Sequence, residues 1–171
     1  MRLYSGKVTA ISEEIVRALT ADGDIETESR AEVVLDIEAV LKEYLRYERS
    51  ITDEAKNRLE ARELPYSNLG KVRNQVAKER KAPQSDEVLP HLLEQILNLL
   101  FHTQHVEEIY ADDPTLRRKI TGILRRHMEA GDDLDVEVRS KIRNLEEGTA
   151  SFEIEYARVM DQMKRKKGLE G

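Results

Sequence analysis

The chain has no cysteine and no tryptophan, and only 5% of its residues are aromatic. Without a thiol there is no disulfide, no cysteine nucleophile, no iron–sulfur cluster held by thiolates and no cysteine-ligated zinc. Small secreted domains commonly depend on covalent staples, so their lack points to a reducing compartment. Glycine and proline are scarce, 8 and 4 in 171 residues, which leaves few breaks in regular structure. Long apolar runs are missing too. The densest, Ile96 to Phe101, is interrupted by Asn98 and falls far short of the roughly 20 residues that a bilayer span needs. The opening MRLYSGKVTAISEEIV lacks the continuous apolar stretch of a signal peptide. The expectation is a soluble cytoplasmic protein with no membrane partner. The net charge is −6, so no overall basic field draws the chain to nucleic acid or anionic lipid. An acidic total does not exclude a local basic patch.

What is present is charge, at 36% of residues, and helical periodicity. Val8, Ile11, Ile15 and Leu19 fall on one face, and Asp22-Gly23-Asp24 ends that helix. Ser29-Arg30-Ala31-Glu32 has the form of a capping box. It precedes a stripe of Val33, Ile37, Val40, Leu41, Tyr44 and Leu45. Thr52 is expected to cap a third helix with Ala55 and Leu59. After Pro65, a fourth carries Leu69, Val72 and Val76. Residues 82–86 read as a linker. Leu89, Leu92, Leu93, Ile96, Leu97, Leu99 and Leu100 then make the most apolar helix, which should be the most buried. Asp113-Pro114 starts the next, with Asp113 as cap, followed by Leu116, Ile120, Ile123, Leu124 and Met128. Gly131-Asp132-Asp133 is expected to turn the chain. Asp135 then caps a helix with Val138, Ile142 and Leu145, and Gly148-Thr149 breaks it. The last helix carries Phe152, Tyr156, Val159 and Met163 and ends in Lys164 to Lys167 before Gly168. No strand pattern has comparable strength.

The two halves match. Ile15 and Leu19 correspond to Ile96 and Leu100, and Ile25-Glu26 to Val106-Glu107. After a two-residue insertion near Asp112, Ile37, Val40, Leu41 and Leu45 correspond to Ile120, Ile123, Leu124 and Met128. ITDEAKNRL at 51–59 parallels LDVEVRSKI at 134–142. The expected fold class is all-α, two pseudo-repeated four-helix units packed together. Residues 1–84 form the first repeat, and residues 85–171 the second with its basic C-terminal turn. Several aliphatic side chains per stripe suffice for one shared core rather than two independent ones.

The copies differ in charge. Asp36 and Glu43 lie seven residues apart, about two helical turns, hence on one face. Their counterparts are Lys119 and Arg126. Either these faces meet, within the chain or in a homodimer, or both are solvated surfaces.

The stretches LPYSNLGKV, LPHLLEQILNLLFHTQHVEEIYADDPTLRRKI and LDVEVRSKIRNLEEGTASFEIEYARVMDQMKRKKGL, with the opening MRLYSGKV, resemble the bacterial Domain of Unknown Function 507 family over essentially the whole chain. Phe152 stands where the family often has tryptophan. The resemblance implies an all-helical cytoplasmic protein. It supplies no catalytic residue, cofactor or activity.

The sharpest metal candidate is His102, His105 and Glu108. On one continuous helix they approach one face, two imidazoles and a carboxylate suited to a divalent cation. The first copy has Ala21, Asp24 and Thr27 at these places, near a helix end, and polar residues closing a helix are the simpler reading. His91 and His127 read as packed or rim residues. No phosphate-cradling glycine loop, nucleophile elbow or metalloprotease helix occurs. Basic residues Arg117, Arg118, Lys119, Arg125 and Arg126, with Lys164, Arg165, Lys166 and Lys167, offer contacts to RNA phosphates, though aromatic interleaving for base stacking is poor. Two functions follow: a non-enzymatic helical adaptor or scaffold holding a protein partner, or an RNA- or ribosome-associated protein. No cofactor is expected.

Overall fold

The computed structural model describes residues 1–145 and 149–167. The breaks expected at Gly148 and Gly168, and the Lys167 side chain, lie outside what is described. The protein is all-α. After a 3-10 turn at Ser5–Lys7 come α1 (Val8–Ala21), β1 (Ile25–Glu26) and α2 (Arg30–Ala61). A second 3-10 turn, Tyr66–Asn68, leads into α3 (Leu69–Glu79). Then follow α4 (Val88–His102), β2 (Glu108–Ile109), α5 (Asp113–Lys141) and α6 (Ala150–Lys167). The two short strands pair antiparallel, Ile25 opposite Ile109 and Glu26 opposite Glu108. Sequence alignment of the halves set Ile25-Glu26 against Val106-Glu107. The ladder forms two residues further on, and periodicity cannot see a two-residue bridge.

Two expected boundaries do not exist. The second and third expected helices are one, α2, and Thr52 lies inside it, its hydroxyl reaching back to the Glu48 carbonyl at 3.4 Å. Gly131-Asp132-Asp133 likewise lies inside α5. The physical reason is that the apolar stripe never loses phase. Leu116, Ile120, Leu124, Met128, Leu134, Val138 and Ile142 are all buried, and position 131 falls on the same face, three residues from both Met128 and Leu134. Glycine is there because of a neighbour: a Cβ at Gly131 would run into Cδ2 and Cε2 of the Tyr4 ring. The cap of α5 is also one residue earlier than expected. The Asp112 carboxylate, not Asp113, accepts the Thr115 N–H at 2.9 Å, which holds its pKa below the usual carboxylate range.

The chain forms two compact units. The first takes Met1–Arg46 and Ser85–Gly131. Its core joins Ile11, Ile15 and Leu19 of α1 to Val33, Ile37 and Leu41 of α2. Leu92, Ile96 and Leu100 of α4 and Leu116, Ile120 and Leu124 of α5 complete it. The second takes Tyr47–Gln84 and Asp132–Glu170. It holds two smaller apolar clusters. One packs Ile51, Ala55 and Leu59 of α2 on Val72 and Val76 of α3. The other packs Leu134, Val138 and Ile142 of α5 on Phe152, Val159 and Met163 of α6. Each unit therefore draws on both halves of the sequence. No described helix is long and apolar enough to cross a membrane.

Candidate functional site

At the end of the first unit where α1 and α4 stop, two connectors are joined by hydrogen bonds. Helix α1 ends in a left-handed residue, Gly23 at φ 70. The Asp24 N–H returns to the Leu19 carbonyl at 2.8 Å and the Gly23 N–H to Thr20 at 3.2 Å, which satisfies the last carbonyls of the helix. The Asp24 carbonyl then accepts the N–H groups of Tyr110 and Ala111. Thr27 donates its hydroxyl to the His105 carbonyl at 2.5 Å and accepts the Ser29 N–H at 3.0 Å. The Glu107 carboxylate accepts the Glu28 N–H at 3.2 Å. Two connectors, 22–29 and 103–112, are thus tied into one platform.

His102 is the last residue of α4, and Thr103 is already extended (φ −71, ψ 143). The continuous helix on which His102, His105 and Glu108 would share a face is therefore not formed. His102 donates from Nδ1 to the Asn98 carbonyl at 2.7 Å, Glu108 lies in β2, and His105 pairs with Asp36 of α2. Among the described residues no group of three His, Asp or Glu side chains is placed to hold a metal ion.

His105 Nδ1 donates to the Asp36 carboxylate at 2.8 Å, and the Thr103 hydroxyl donates to the same oxygen at 2.6 Å. The hydrogen bond to Asp36 raises the His105 pKa above its ordinary value, and the charges of Asp36, Glu32 and Glu107 add to it. Lys119 meets Asp22 at 2.5 Å and also pairs with Asp24; both carboxylates raise its pKa. The sequence aligns Asp36 with Lys119 and His105 with Asp24. Each pair joins a helix to a connector, the acid lying on the helix in one and on the connector in the other.

The other residues singled out by charge also have partners of their own. Glu43 pairs with Arg46 at 2.6 Å. Arg126 and His127 both reach Glu14, at 2.6 and 2.5 Å. Burial pushes the Glu14 carboxyl up, but the hydrogen bonds and charges of Arg126 and His127 bring it below its usual range. Arg117 is held by Glu94 and by Asp113 at 2.6 Å, and Arg165 by Asp161 at 3.1 Å. Arg118, Arg125 and Lys166 are exposed and Lys164 is half-buried. His91 stacks at a tilt on Tyr44, centroids 5.7 Å apart.

Periodicity did not single out the exposed apolar residues. Leu35 is 55% exposed, Phe101 54% and Tyr110 66%. Leu35 is in the second turn of α2, Phe101 in the last turn of α4 and Tyr110 just after β2. Leu35 is next to Asp36 and Phe101 is two residues before Thr103, the two partners of one hydrogen bond. Tyr110 donates its hydroxyl to Glu26 at 2.9 Å. Beside Tyr110 lies an open cavity of about 320 Å³, lined by Thr20, Gly23, Ile25, Glu26, Thr27 and Arg30 as well. The signal available in the sequence was an apolar residue out of phase with its stripe: Leu35 lies opposite the face of Val33, Ile37 and Leu41.

A family model described as "Protein of unknown function (DUF507)" matches residues 1–169. Comparison with curated proteins returns no match.

Proposed function

The chain belongs to the DUF507 family of proteins of unknown function, and from that premise we propose that it is a non-enzymatic helical interaction protein whose platform end holds a protein partner. The observation that carries this reading is that Leu35, Phe101 and Tyr110 are each more than half exposed and lie in or next to segments that the connector hydrogen bonds hold in place. Exposed aromatic side chains on a fixed scaffold lose little conformational freedom on binding and bury large apolar areas. The pairing of Arg117, Lys119 and Arg126 with carboxylates of their own chain weighs against the RNA alternative, since a phosphate must compete for each. The internal duplication belongs to the same proposal, supported by the repeated order α, β, α, α.

The test is a pull-down from a lysate of the cells that make the protein, with and without nuclease, using wild type and the triple variant Leu35→Asp, Phe101→Asp, Tyr110→Asp. A partner kept after nuclease and lost from the variant is the expected result. Captured protein that vanishes with nuclease, or a profile identical for both baits, overturns the reading.

A further inference from the structure

We propose that a cavity of the first unit, where the start of α4 meets α5, binds a free apolar α-amino acid, its carboxylate on Arg125 and its ammonium on Asp86. The site does not rest on the interaction reading above. An open cavity of about 430 Å³ is lined by Met1, Ser85, Asp86, Leu89, Pro90 and Arg125, all of them residues of the first compact unit. That volume falls in the range of roughly 300–1,000 Å³ typical of small-molecule sites. One wall is apolar. Leu89 is buried in the first turn of α4, Met1 packs against the core of the unit, and Pro90 has no N–H to offer.

Two opposite charges line this space and do not neutralise each other. Arg125 and Asp86 form no ion pair together, and neither has an ion-pair or hydrogen-bond partner among the described residues. The neighbours of Arg125 on α5 behave otherwise: Arg117, Lys119 and Arg126 each meet a carboxylate of the chain. Ser85 is engaged, its hydroxyl accepting a hydrogen bond from the Met1 ammonium at 3.2 Å, which holds Met1 at the cavity wall. A simple anion is attracted by Arg125 and repelled by Asp86, and a simple cation meets the reverse. A ligand carrying both charges answers both groups. In an α-amino acid a single carbon separates carboxylate from ammonium, so the molecule can bridge an acid and a base too far apart to pair directly. An aliphatic side chain then covers Leu89, Pro90 and Met1. Arg125 and Asp86 are exposed, so each charged contact adds little, and the dissociation constant is expected to be of millimolar order. Selectivity arises because a ligand lacking either charge leaves one protein group repelling it.

The untagged chain is titrated with L-leucine and with three truncated probes, and binding is read by amide chemical shifts. Isocaproate lacks the ammonium, isoamylamine lacks the carboxylate, and glycine lacks the side chain. L-Leucine is expected to give saturable shifts confined to residues 85–90 and the turn of α5 around Arg125. Each truncated probe binds roughly three- to tenfold more weakly, the size of one lost surface contact. Arg125→Gln and Asp86→Asn each weaken L-leucine by a similar factor, and Asp86→Asn also abolishes the discrimination against isocaproate. Arg118→Gln, which removes an exposed arginine of the same helix outside the cavity, leaves binding unchanged. All three substituted side chains are exposed, so an unchanged circular dichroism spectrum is the folding control. The proposal is overturned by the lack of a saturable shift with L-leucine or by shifts that map elsewhere. Isocaproate or isoamylamine bound as tightly as L-leucine overturns it too, as does indifference to Arg125→Gln and Asp86→Asn.

Discussion

At the residue scale, His105 and Asp36 make a pH-dependent clamp between the second connector and α2. The His105 pKa lies above its ordinary 6.5 in the folded chain. Its contribution to stability is therefore fully present below the unfolded value and is lost as pH rises through the folded one. Proton NMR is expected to give His105 a titration midpoint above 6.5 in wild type and a lower one in Asp36→Asn. The difference in urea midpoint between wild type and His105→Gln shrinks as pH is raised through that midpoint; a difference that does not change with pH refutes the clamp. A second residue-scale feature is strain. Glu63 and Lys81 have φ of 54 and 55. Each follows the end of a helix, where the next N–H turns back, Leu64 to Leu59 and Ala82 to Ala77, both at 2.9 Å. That position suits glycine, because a Cβ costs about 1 kcal/mol in the left-handed region. Glu63→Gly and Lys81→Gly are each expected to raise stability by up to about 1 kcal/mol in chemical denaturation, although glycine normally weakens a chain. Nothing in the sequence marked these two sites: glutamate and lysine are not residues of left-handed turns.

At the element scale, α5 contains two glycines with opposite prospects. Gly122 has open space where a Cβ would go, whereas Gly131 has the Tyr4 ring. Gly122→Ala is expected to stabilise by roughly 1 kcal/mol through helix propensity alone. Gly131→Ala is expected to destabilise, because the ring must move out of a close-packed position. Thermal melting of both variants checks this, and Gly131→Ala in a Tyr4→Ala background should recover the stabilising sign. The same element shows what periodic reasoning can and cannot decide. The stripe from Leu116 to Ile142 was legible, and its residues are buried as expected. The expected turn at 131–133 came from residue type. Glycine followed by two aspartates looks like a chain reversal, but residue type there was fixed by a side chain well over a hundred residues away in sequence. Thr52 in α2 repeats the lesson, since a capping residue inside an unbroken stripe remains helical.

At the whole-molecule scale, the two halves of the sequence contribute to each compact unit. The core of the first unit draws on α1 and α2 from one half and on α4 and α5 from the other. A fragment of residues 1–84 leaves the faces of Ile11, Ile15, Ile37 and Leu41 without their cover. It is expected to show no cooperative thermal transition by circular dichroism, and adding residues 85–171 should restore one. A cooperative melt of the first fragment alone would mean that its helices close a core without their counterparts. The tying of connector 22–29 to connector 103–112 belongs to this scale as well, because it needs the ends of α1 and α4 side by side.

By itself, the sequence determined the helical class, the buried stripes and the positions where α1 and α4 stop, since these follow from local spacing and composition that every helix must obey. Tertiary structure decided which helices continue, which carboxylate meets which cation and which apolar residues stay in water. Those outcomes depend on contacts between segments that lie tens of residues apart, such as Tyr4 with Gly131, Asp36 with His105 and Asp24 with Lys119. No local pattern encodes the distance between them.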